Sequence, residues 1–116
     1  MRMSFGKTRL DLPYAVADEP HWMAMTYFLT TECTDLSATR DWFEFVAAAV
    51  RGDGQNSGAG NATGILVRPP WIEIEGLFQE SPHMARFRVS EFVELLKMWM
   101  SFIERGEPTE WTSSGE

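Results

Sequence analysis

The chain has 116 residues, 44% of them hydrophobic, with five Trp and eight Phe; that suffices for one domain with a packed core and argues against a disordered tail. Its net charge of −7 argues against nucleic acid as a direct ligand and against an anionic membrane, because both call for a basic surface; it suits solubility or a basic partner. The single cysteine, Cys33, excludes an intrachain disulfide and a cysteine-rich metal site and points to a reducing compartment.

The first ten residues carry Arg2, Lys7 and Arg9 without the apolar stretch of a signal peptide. No run approaches the length that spans a bilayer, so the chain reads as cytosolic. Residues 3–12 predict a short edge strand, with Met3, Phe5, Leu10 and Leu12 apolar and Gly6 and Lys7 as a break. A connection containing Pro13 and Pro20 follows. Residues 21–31 predict a second strand, since aromatic and β-branched side chains crowd it. Alternation then assigns Met23, Met25, Tyr27 and Leu29 to the core face and Trp22, Ala24, Thr26, Phe28 and Thr30 to the other.

Thr34, Asp35 and Ser37 are N-cap residues ahead of a helix over 36–51. Thr39, Trp42, Phe43, Val46, Ala49 and Val50 recur at helical spacing as its buried stripe, and Arg51 followed by Gly52 suits its end. Residues 52–64 hold five glycines among polar side chains and predict a long, mobile connection. Two β-rich runs come next, 65–67 and 71–75, on either side of Arg68, Pro69 and Pro70. Proline fixes φ and lacks an N–H, so the pair marks a corner. In the second run Ile72 and Ile74 point one way, and burying them turns Trp71, Glu73 and Glu75 outward.

Residues 79–83 read as a loop with Pro82, and 86–89 as a short strand. Ser90 caps a helix over 91–105 whose buried face is Phe92, Leu95, Leu96, Trp99, Phe102 and Ile103. Glu91 and Glu94 in its first turn and Arg105 in its last match the helix dipole, and Gly106 and Pro108 end it. The domain thus covers residues 1–106, and 107–116 reads as a loose polar tail. The order predicts an α+β fold: a small antiparallel sheet with two amphipathic helices packed on one face. The opposite face would carry Trp71, Glu73 and Glu75, with Trp22, Thr26 and Phe28 beside them if the strands pair.

No catalytic or cofactor motif accompanies these elements. Gly58, Ala59 and Gly60 follow a helix and precede a strand, the reverse of a phosphate cradle, and lack its lysine. The stretch from Asp53 to Asn56 opens like a calcium loop, but its twelfth position is Gly64 and not a glutamate. Cys33 stands just before a helix, where a thiol pKa can be lowered, yet nothing ties it to His21 or His83. The two histidines and one cysteine have no metal-ligand spacing. Glu73 and Glu75 share a strand face, where such carboxylates are usually solvated rather than glycosidase-like. The expectation is a non-enzyme with no cofactor and no metal. Its contact surface would be Trp71 as an aromatic anchor and Glu73 and Glu75 as steering carboxylates, extended by Trp22 and Thr26.

Short length, acidity, one α+β domain, the hairpin over 65–75 and the Trp-bearing last helix over 92–103 resemble the small acidic immunity proteins of bacterial contact-dependent growth inhibition and related toxin systems. The resemblance implies a cytosolic protein that binds one cognate toxin domain, often a nuclease, and blocks its active site. It transfers no individual residue. Two other readings stand beside it: another bacterial or phage inhibitor or adaptor, and a small enzyme or ligand-binding domain built on the outer sheet face.

Overall fold

The computed structural model describes residues 2–17, 23–77, 84–107 and 109–112. The fold is α+β. In chain order the elements are β1 (Arg2–Lys7), β2 (Pro13–Ala17), α1 (Met23–Glu32), α2 (Leu36–Arg51), β3 (Ser57–Ala59), β4 (Thr63–Arg68), β5 (Trp71–Gly76), β6 (Met84–Arg88), α3 (Val89–Arg105) and β7 (Thr109–Thr112). The strands form two antiparallel sheets among the described residues, β2-β1-β7 and β3-β4-β5-β6. Helices α1 and α3 touch both. In place of the predicted single sheet with two helices, the described residues form two sheets and three helices.

The largest departure from the sequence reading is residues 23–32, a helix and not a strand. Ala24, Met25, Phe28, Leu29 and Glu32 are buried, a stripe that recurs every three to four residues. Met23 and Tyr27, expected in the core, are exposed. The β-branched residues that favoured a strand are accommodated by back-bonding: the hydroxyls of Thr26, Thr30 and Thr31 donate to the carbonyls of Met23, Thr26 and Tyr27 at 2.8, 2.9 and 2.6 Å.

The two helices read from the sequence are present. Helix α2 has the expected limits. The carboxylate of Asp35 accepts from the Ala38 N–H at 2.7 Å, and Gly52 takes the left-handed conformation (φ 79°) just past its end. Thr39, Val46 and Ala49 are buried, whereas Val50 is exposed. Helix α3 begins at Val89, ahead of Ser90, and the Glu91 carboxylate accepts from the Arg88 N–H at 3.2 Å. Its face of Phe92, Leu95, Leu96, Trp99 and Phe102 is buried. Trp99 anchors the core. Its ring meets Phe5 of β1 edge-on at 5.1 Å, and its N–H donates to the Cys33 carbonyl at 2.8 Å, so the buried indole keeps its hydrogen bond. Phe28 packs against Trp42 at 5.3 Å and Phe92 at 5.8 Å, which joins all three helices.

Residues 13–17, read as connection, form β2. Residues 109–112, read as tail, form β7 and pair with β1. The stretch 52–64 is ordered rather than structureless. Strand β3 pairs with β4, and beyond it one side chain gathers the turn. The carboxylate of Glu32 accepts from the N–H groups of Asn61, Ala62 and Thr63 at 2.8, 2.9 and 2.9 Å and from the Thr63 hydroxyl at 2.8 Å. Gly60 is required there, because a β-carbon would fall on the Glu32 carboxylate. Burial by itself raises the pKa of Glu32, but its hydrogen bonds to residues 61–63 outweigh burial and leave it below the usual value.

Candidate functional site: the open face of the four-stranded sheet

Register decides what lies on each face. On the inner side Val67, Ile72 and Phe87 form one row and Ile65, Ile74 and Ala85 the next, all buried beneath the helices. On the outer side Arg68, Trp71 and Arg88 are aligned, then Leu66, Glu73 and Arg86, then Gly64, Glu75 and Met84. Pro69 and Pro70 make the corner between Arg68 and Trp71, and the Pro70 carbonyl accepts from the Val89 N–H at 2.9 Å, which ties that corner to the start of α3.

Trp71 is half-buried on this outer side because arginines cover it. The Arg86 guanidinium lies 4.1 Å from the ring centroid and that of Arg88 lies 5.0 Å away, both within cation–π range. At the other end of the face is a groove of about 400 Å³, lined by Leu66, Glu73, Glu75, Leu77 and Met84. Leu77 and Met84 are exposed there. Among the described residues, neither Glu73 nor Glu75 makes an ion pair or side-chain hydrogen bond. Three arginines against two glutamates give the face a net charge of +1 on a chain of −7. The face is mixed, with a cationic aromatic end and an acidic apolar end.

Of the residues predicted for the contact surface, Trp71, Glu73 and Glu75 share this face. Thr26 does not: it lies on α1, and α1 packs against the inner side. Phe28 is in the core for the same reason. Trp22 lies outside the described residues, as do His21 and His83. Cys33 does not have the lowered thiol pKa that a position just before a helix can produce. It is fully buried, and burial pushes the thiol up to about 12 despite a hydrogen bond from Thr39. The arginines were missed. Arg86 and Arg88 alternate around Phe87, a strand signal, but only the pairing of β6 with β5 brings them to Trp71.

Among the described residues no group of three His, Cys, Asp or Glu stands where it could hold a metal ion, and no helix is long and apolar enough to cross a membrane. Comparison of the chain with protein-family models, curated proteins and solved structures finds no match in any of the three.

Proposed function

We propose that the chain is a non-enzymatic binding protein that neutralises a cognate toxin domain, as the immunity proteins it resembles do, and that the open face of the four-stranded sheet is its contact surface. The observation that carries this reading is Trp71, a large aromatic on a sheet face that the helices leave uncovered, held in place by two guanidinium groups. Trp and Arg dominate binding hot spots, and an anchor already packed by its neighbours loses little side-chain freedom on docking. The net charge of −7 supports long-range attraction of a basic domain, while the face itself offers both signs for pairing. A second reading, a small-molecule binding domain, is favoured by the groove of about 400 Å³ beside Glu73 and Glu75.

Co-purification with the product of the neighbouring gene tests the proposal. The wild type should retain a toxin domain, and Trp71→Ala should weaken the complex by about 2 kcal/mol or more, the threshold of a hot spot. Equal affinity of the two proteins removes this face from the interface. Capture of no toxin domain by the wild type overturns the neutralising role.

A further inference from the structure

We infer that the Trp71 end of the open face is an anion-recognition site whose ligand is a carboxylate-bearing segment of a protein partner. The inference names the chemistry of one contact and rests on the binding role proposed above. Arg68 and Arg88 flank Trp71 in register on the two neighbouring strands, and Arg86 stacks on its ring. The chain has 17 acidic residues against 10 basic ones, yet none of these three guanidinium groups forms an ion pair with a described residue. Arg86 stands directly across from Glu73 and turns instead to the indole. The Nε of Arg88 is buried and has no hydrogen-bond partner. That Nε is closed to solvent, so a ligand would meet the guanidinium groups through their terminal N–H donors.

Stacking also prepares the geometry. A guanidinium held over an aromatic ring still has N–H donors for a ligand, and its fork of donors matches the two oxygens of a carboxylate. Nucleic acid offers oxygens too, but a chain of phosphates would have to pass Glu73 and Glu75. Glu73 lies about 7 Å along β5 from Trp71, within the screening length of about 8 Å, and Glu75 about 14 Å away, so a chain of phosphates running along the strand would meet both in turn. The face is also small. Four strands about 4.8 Å apart and some six residues long make a surface roughly 15–20 Å each way, the footprint of one helix or extended segment, so a partner domain would present one such element to it. A short stretch with two or three carboxylates fits the cationic end and leaves the acidic groove clear.

The test follows the indole N–H signal of Trp71 by NMR, assigned by its loss in Trp71→Phe. The probes are a capped hexapeptide bearing three glutamates, its glutamine counterpart and a hexathymidylate. The glutamate peptide should shift the signal saturably and the glutamine peptide should not. Arg86→Gln with Arg88→Gln should weaken the response by about tenfold or more. Arg68→Gln with Arg86→Gln, which spares the residue at the start of α3, should act alike. Glu73→Gln with Glu75→Gln should bind the peptide as well as the wild type or better. Equal response to both peptides, indifference to the arginine variants, or tighter binding of hexathymidylate overturns the inference. A toxin domain retained by the wild type and lost on Trp71→Ala, together with a silent peptide titration, sinks the carboxylate contact and leaves the binding role intact; the converse result sinks the binding role alone.

Discussion

Glu32 and Glu73 are carboxylates of one chain with opposite surroundings. Glu32 is buried with four hydrogen bonds, and it orders a turn that begins nearly thirty residues further on. Glu73 lies on an uncovered sheet face and is half-buried beside a groove, with no hydrogen bond or ion pair to a described residue. A buried charge persists only when its lone pairs are satisfied, so Glu32 belongs to the architecture. A carboxylate without an internal partner adds little to folding and is available for an external one. The same contrast separates the aromatics. Trp99 has its N–H bonded to a carbonyl and its ring packed in the core, whereas Trp71 is held on the surface by cations.

The contrast can be broken most forcefully at Glu32. Glu32→Ala leaves three backbone N–H groups and a hydroxyl without their acceptor, and urea unfolding should record a loss of about 3 kcal/mol, the upper end of the cost of stranding buried donors. Gly60→Ala attacks the same contact from the other side by forcing a methyl into the carboxylate. The expected cost is about 1–3 kcal/mol, with the amides of Asn61, Ala62 and Thr63 exchanging faster. Slow exchange of those three amides in the wild type would itself set this turn apart from the mobile loop that the glycines of 52–64 suggest.

Acid should produce a smaller, titratable version. The pKa of Glu32 in the fold lies below its ordinary value of 4.5, so its contribution is present above that value and is lost as the pH falls through the folded pKa. Glu32→Gln should flatten this part of the stability curve measured from about pH 6 to pH 3. On the open face the effects on folding should be slight. Glu73→Gln with Glu75→Gln should leave stability within about 0.5 kcal/mol of wild type. Trp71→Ala should cost about 1 kcal/mol through its lost stacking. A loss of several kcal/mol from either variant would show that the face is part of the folding core and would erase the distinction between the two regions.

The elements legible in the sequence were those whose signals are local. The cap at Asp35 and the glycines at 52 and 106 mark three helix ends within a turn of their residues. The alternation around Ile72 and Ile74 alone assigns the two faces of β5. Residues 23–32 misled because buried neighbours occur in pairs, Ala24 with Met25 and Phe28 with Leu29. Either member of each pair suits one face of a strand, and threonine and aromatic residues tipped the choice towards strand.

Periodicity and capping act within a few residues, so the α+β class, helices α2 and α3, and the outward direction of Trp71, Glu73 and Glu75 can be read from the residues alone. The remainder depends on long-range pairing. Strand β7 exists by pairing with β1 a hundred residues away, the turn at 61–63 exists by donating to Glu32, and Arg68, Arg86 and Arg88 meet at Trp71 through strand register. Each is a contact between segments distant in the chain. Such contacts carry no periodic signature of their own, and register converts a scatter of single arginines into one cationic surface.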